Sequence, residues 1–277
     1  MQLCLSDFDG TIAQTFVPSP RGVGVHEAYS LSLRQIFGDT GVMLYQLVGG
    51  IQNRTPGELL EAVLVAAGSH RENLTERSRF FLEREGKSLD GFVPEGKGGS
   101  LEWNAACPLP AMTEVLVRVK MQILFREIGK LWPKPCKGFV CFYRHLREKN
   151  GAKLGILSSG HDLFIEKCFE VWGESQPDLM VTDDLMRSRR CCNIPPEKRA
   201  KPQAGPYRMF CDEWFAKYGT PVPSRMETFY VGDSQATDGA MAKKLGLFFV
   251  WFNPDENGSG PRSVYSVSDW RSLTPFV

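Results

Sequence analysis

The chain has 277 residues, 42% hydrophobic and 23% charged, with a formal net charge of +1. This is globular composition, with room for one large domain or two modest ones, and the near-neutral balance gives no global field to draw in nucleic acid or an anionic membrane. No apolar run reaches the about 18 residues of a membrane span, and Met1-Gln2 leads almost directly into a strand rather than a leader segment, so the expected setting is the cytoplasm.

The first predicted element is the apolar strand QLCLSDF, which ends in Asp7-Phe8-Asp9 and turns at Gly10-Thr11. Two carboxylates one residue apart repel unless something offsets their charge. From about 14 to 133 the pattern is helical, with helices expected near 26–37, 56–67, 75–86 and 111–132 and Gly/Pro-rich loops between them, notably GFVPEGKGGSLEW over 91–103. Within this segment GGIQNRTP (49–56) offers Arg54 for bidentate contact with a substrate anion, while Thr55 suits the N-cap of the next helix, with Glu58 in its first turn. His26, Trp103, Trp132, Phe139 and Phe142 read as packing residues.

From residue 134 onward short apolar runs alternate with helical patterns. KLGILS (153–158), PDLMVT (177–182), ETFYVG (227–232) and LFFVWF (247–252) read as strands, with helices near 138–150, 160–172, 206–218 and 235–245. Continuous rather than alternating apolarity fits strands covered on both faces, so the expected fold is α/β: a Rossmann-like parallel sheet over 1–13 and 134–277, with a helical domain inserted over 14–133. The basic stretch RSRRCCNIPPEKRAK (187–201) reads as a solvated surface loop, with Cys191 and Cys192 semi-exposed. The eight cysteines contain no CxxC pair, so free thiols are expected rather than disulfides or a zinc site.

In a parallel sheet all strand ends share one edge, where ligands bind. Asp7 and Asp9, Ser158-Ser159-Gly160, Lys201 and the Asp233 and Asp238 of VGDSQATD then converge. Carboxylates gathered this way need a cation, and hard oxygen ligands suit Mg²⁺. A carboxylate can attack phosphorus, a second can exchange protons with the leaving oxygen and water, and Lys201 with the Ser158 hydroxyl can stabilise equatorial charge. Backbone N–H groups at Gly10-Thr11 and Ser159-Gly160 would add anion donors.

DFDGT (7–11), ILSSG (156–160), AKPQAGP (200–206) and VGDSQATD (231–238), in this order, resemble the four motifs of the haloacid-dehalogenase-like (HAD) hydrolase superfamily. The resemblance covers nearly all of the expected core, and the helical insertion over 14–133 resembles the cap domain that many members carry between the first two motifs. It implies Asp7 as nucleophile and metal ligand, and Asp9 as general acid/base, with its backbone carbonyl on the metal. It also implies Ser158 and Lys201 on the phosphoryl group, Asp233 as a metal ligand, and Asp238 as the acid that holds metal waters or orients the lysine. Members that cleave carbon–halogen bonds lack the second aspartate of DxD, so Asp9 argues for phosphate esters. The expected activity is Mg²⁺-dependent removal of phosphate from a small phosphorylated metabolite. A phosphomutase or a non-catalytic module of the same fold stays open at this stage.

Overall fold

A computed structural model describes residues 2–277 apart from 53, 95, 98, 100, 150, 189–190, 192 and 255–264. Two units cluster separately: Met1–Thr15 with Pro133–Met186 and Arg190–Val277, and Phe16–Trp132 with Arg187–Arg189.

The first unit is built on β1 (Leu3–Ser6), β2 (Lys153–Leu157), β3 (Leu179–Val181), β4 (Thr228–Gly232), β5 (Phe248–Phe252) and β6 (Tyr265–Val267). They form one sheet in the order β3-β2-β1-β4-β5-β6, with every pairing parallel. All residues of β1 and β4 are buried, as expected for central strands covered on both faces. Ser6 pairs with Ile156 on one side and Val231 on the other. This register brings β1, β2 and β4 to an end at the same level. Asp7, Ser158 and Asp233 therefore leave the sheet at one edge, where the chain order switches direction between β1 and β4.

Because side chains alternate along a strand, Tyr230 and Phe229 point to opposite faces. On the Tyr230 side, Leu3, Leu5, Leu157, Phe210, Trp214 and Met241 form a buried cluster. On the Phe229 side, rings gather around the C-terminal 3-10 turn (Trp270–Phe276): Phe229 meets Phe276, and Phe252, Phe139 and Phe142 meet Trp270. Each ring fully buried in this way contributes about 1.5–3 kcal/mol. Trp270 also donates its indole N–H to the Thr11 carbonyl at 2.8 Å, which ties the C-terminus to the turn after β1. No helix among the described residues is long and apolar enough to cross a membrane.

The second unit is helical: α1 (Val25–Phe37), α2 (Asp39–Leu47), α3 (Pro56–Ala66), α4 (Arg71–Glu85) and α5 (Leu109–Glu127). Thr55 caps α3, its hydroxyl accepting the Glu58 N–H at 3.2 Å while Glu58 accepts the Thr55 N–H at 2.7 Å. Arg54 is engaged within its own loop through Nη1. Its guanidinium donates to the Val48 and Gly50 carbonyls at 2.5 and 2.7 Å, holding the turn that precedes α3. Glu114, buried in the middle of α5, accepts from Arg118 at 2.8 Å, from the Gly99 N–H at 2.9 Å and from Arg187.

Arg187 is thus half-buried and paired rather than solvated. Arg199 likewise turns inward, donating to the Ile194 and Cys191 carbonyls at 2.7 and 2.8 Å. Cys191 is fully buried against the Leu185 carbonyl, not semi-exposed, and Cys192 lies outside the described residues. The described cysteines are all free thiols. His26 sits on α1 with its ring 5.3 Å from that of Phe16. Trp132, Phe139 and Phe142 are buried and Trp103 is half-buried.

Candidate active site

β1 delivers Asp7 into a buried position, and the turn after it places Asp9 two residues on. The helix Gly205–Tyr218 is preceded by the turn that carries Lys201. From there the Lys201 ammonium donates to Asp7 Oδ1 at 2.6 Å and to Asp238 Oδ1 at 2.7 Å. Asp238 sits on a π-helical turn (Gln235–Gly239) just beyond β4, and its Oδ2 accepts the Ser234 N–H at 3.2 Å. A side chain at Gly232 would place its Cβ 2.5 Å from Asp238 Cγ, so a glycine is required there for Asp238 to lie so close to the strand. The Asp233 carbonyl is fixed by the Trp251 indole at 2.8 Å.

Asp7, Asp233 and Asp238 each offer a carboxylate oxygen, and the three oxygens lie within 4.8 Å of one another. Asp9 and Ser158 both approach Gly160: a Cβ built there would be 3.1 Å from Asp9 Oδ2 and from Ser158 Oγ. Ser158 Oγ accepts the Gly160 N–H at 2.9 Å, which leaves its hydroxyl proton free to be donated elsewhere. The structure therefore gathers Asp7, Asp9, Ser158, Lys201, Asp233 and Asp238 at one sheet edge, with Gly160 among them and Ser159 exposed beside it.

Gly10 and Thr11 differ from their sequence-based expectation as anion donors. The Gly10 N–H donates to the Ala13 carbonyl at 2.8 Å and the Thr11 N–H to the Phe8 carbonyl at 3.3 Å. Both hold the turn closed instead.

Two further groups were invisible to sequence reasoning. Tyr230, within the apolar run of β4, points its hydroxyl at Asp238 Oδ1, 2.9 Å away. His161 and Asp184, both buried, pair at 2.7 Å behind the Ser158 turn. Asp184 also accepts the Asp162 N–H at 3.0 Å, which fixes the start of the helix Asp162–Trp172. The HD that follows SSG in the sequence is His161-Asp162, which gives no sign of the distant partner Asp184.

The electrostatics follow from too many acids sharing one ammonium. Burial raises the Asp7 carboxyl well above its ordinary range. Lys201 opposes that rise, while Asp238, Asp233 and Asp9 add to it. Asp233 is pushed up to about 6, by burial first and then by Asp238, with Lys201 opposing and Asp9 reinforcing. Burial alone would lower Lys201, but Asp238 and Asp7 more than offset it and raise its pKa well above the usual lysine value. The Cys136 thiol, whose Sγ lies 3.6 Å from the Gly10 carbonyl, is pushed up to about 12 by burial and by Asp233, so it stays protonated and inert.

An all-oxygen donor set carrying surplus negative charge fits a hard divalent cation such as Mg²⁺. The pH dependence of the cation-free protein follows from the same shifts. The folded chain holds the Asp7 and Asp233 protons more tightly than an unfolded chain does. The resulting stabilisation is complete below about pH 4, the unfolded carboxyl value, and is lost as pH rises through the Asp233 value of about 6. Melting curves of EDTA-treated protein between pH 5 and 8 are expected to show a falling Tm, with a shallower fall in Asp233→Asn. Mg²⁺ is expected to raise Tm more at pH 8 than at pH 5. Identical slopes in wild type and variant would contradict this picture of the pocket.

No family model matches the chain, and no curated protein matches it. Solved structures do. A predicted phosphoglycolate phosphatase from Haemophilus somnus is similar with a TM-score of 0.52 at 14% identity, covering 99% of this chain and 97% of that one. CbbY from Rhodobacter sphaeroides, in complex with phosphate, is similar with a TM-score of 0.51 at 15% identity, covering 99% and 96%. A 2-haloacid dehalogenase from Pseudomonas syringae pv. Tomato has a TM-score of 0.51 at 12% identity, covering 100% and 97%. At these identities the likeness speaks for architecture. Taken with the six-stranded parallel sheet, it shows that the chain shares the haloacid-dehalogenase-like fold of these proteins.

Proposed function

We propose that this protein is a Mg²⁺-dependent phosphohydrolase that removes phosphate from a small phosphorylated metabolite through an aspartyl-phosphate formed on Asp7. The observation that carries the reading is the short chain of contacts from Lys201 to Asp7 at 2.6 Å and to Asp238 at 2.7 Å, beside Asp233. A buried carboxylate held by an ammonium on one oxygen keeps its other oxygen for attack on phosphorus.

In this reading Asp9, beside Gly160, protonates the leaving oxygen and afterwards takes a proton from the water that hydrolyses the acyl phosphate. Lys201 and the Ser158 hydroxyl donate to the equatorial oxygens as charge develops on them. The cation would be held by Asp7, Asp233 and the Asp9 backbone carbonyl. When bound it neutralises the acids and the incoming phosphate dianion. Residues 14–133 are assigned as the cap domain, the segment that selects the ester.

Asp9 separates this reading from carbon–halogen cleavage, which needs no acid to protonate a halide. The test is to incubate the protein and Mg²⁺ with p-nitrophenyl phosphate, a panel of phosphorylated sugars and acids, and 2-chloropropionate, assaying free phosphate, isomerised product and halide. Free phosphate from at least one ester is expected, with no halide. Halide release, isomerised sugar phosphate without free phosphate, or no turnover of any compound would overturn the proposal.

A further inference from the structure

Tyr230 is fully buried in the cluster that includes Leu3, Leu5 and Phe210. A phenylalanine would fill that space equally well, and an unmatched hydroxyl would be costly there. The hydroxyl is instead 2.9 Å from Asp238 Oδ1, 3.4 Å from Lys201 Nζ and 3.4 Å from the Leu157 carbonyl at the end of β2. It has one proton, and the shortest contact takes it. Tyr230 therefore donates to Asp238 and accepts from Lys201.

The surroundings of two side chains are then accounted for. The three N–H bonds of Lys201 face Asp7 at 2.6 Å, Asp238 at 2.7 Å and Tyr230 at 3.4 Å. Asp238 Oδ1 accepts from both Lys201 and Tyr230, and Oδ2 accepts the Ser234 N–H at 3.2 Å. A carboxylate offers about four acceptor sites, and three of those on Asp238 are in use. Asp238 lies close enough to Asp7 and Asp233 to be counted with them as a cation ligand, but its hydrogen bonds turn it toward the lysine.

We propose that Tyr230 is a positioning residue: its hydroxyl locks Asp238 onto Lys201, which aims the ammonium at Asp7, and Asp238 held in this way serves the lysine and is not a ligand of the cation. The catalytic half of this inference rests on the phosphohydrolase reading; the ligand half does not.

Three full-length variants test it: Tyr230→Phe, Asp238→Asn and Asp233→Asn. Mg²⁺ binding is measured by titration calorimetry, which needs no turnover. Asp233→Asn is expected to weaken Mg²⁺ binding by at least about tenfold, whereas Asp238→Asn and Tyr230→Phe are expected to leave it within about threefold of wild type. With p-nitrophenyl phosphate, Tyr230→Phe is expected to lower kcat by roughly 10–150-fold, the effect of losing one hydrogen bond to a charged group, with KM changed less than about threefold. A residue that only packs would leave kcat unchanged. Loss of Mg²⁺ binding in Asp238→Asn to the level of Asp233→Asn overturns the ligand half, and a Tyr230→Phe kcat within about twofold of wild type overturns the positioning half. A wild-type protein that binds Mg²⁺ yet hydrolyses no ester refutes the phosphohydrolase reading and the positioning half together, while the calorimetric comparison still decides the ligand half.

Discussion

Asp7→Asn is expected to lower kcat by at least about 10³-fold while leaving the fold intact. Asparagine has the same shape and keeps an oxygen that can accept from Lys201, so the contact at 2.6 Å retains a partner. Its amide is not a nucleophile toward phosphorus. The substitution also removes one negative charge from a pocket in which burial and three neighbouring acids already push the Asp7 carboxyl upward. The cation-free variant should therefore melt no lower than the wild type at pH 7. Retained turnover, or a large loss of Tm, would show that Asp7 serves packing or charge balance rather than covalent chemistry.

Removing the divalent cation is expected to cost at least about 10²-fold in activity, with full recovery on adding Mg²⁺. Without a cation, Asp7, Asp9, Asp233 and Asp238 gather around Lys201, and a phosphate dianion must approach that surplus. A single like-charge pair at about 4 Å costs about 4 kcal/mol at an effective dielectric of 20, equivalent to about 10³ in rate. Initial rates in EDTA and after Mg²⁺ titration measure the effect directly. Full activity in protein shown by elemental analysis to be free of metal would refute it.

The sheet was readable from sequence because buried parallel strands write themselves as unbroken apolar runs. β1, β2, β3, β4 and β5 fall inside runs that anyone would mark. β6 did not, since three residues at a sheet edge, YSV, with two of them exposed, carry no such run. α2 was missed for a different reason. Gly41 reads as a helix breaker, yet a Cβ there would lie 2.4 Å from the Leu33 carbonyl. The glycine permits α1 and α2 to pack closely, and only the fold reveals that use.

The chemistry-bearing acids were legible because strand ends in a parallel sheet share an edge, which turns distant motifs into one pocket. Partnering was not. Sequence shows that Arg54, Arg187 and Arg199 are cationic, but the backbone carbonyls and the Glu114 carboxylate that they meet are set by tertiary contacts. The N–H groups of Gly10 and Thr11 were counted as anion donors before the turn that uses them was known. Tyr230 was hidden for the opposite reason: in an apolar run it looks like one more core residue, and its hydroxyl matters only because Asp238 folds back over the strand.

The account rests on phosphorus becoming bonded to one particular carboxylate, and acid quenching during turnover tests this most directly. Protein mixed with Mg²⁺ and a hydrolysed ester, quenched within the first turnover and digested, is predicted to yield a phosphoryl adduct on the peptide that contains Asp7, labile to hydroxylamine and absent in Asp7→Asn. Phosphate release at the wild-type rate with no adduct at any quench time, or an adduct on another residue, would contradict the account.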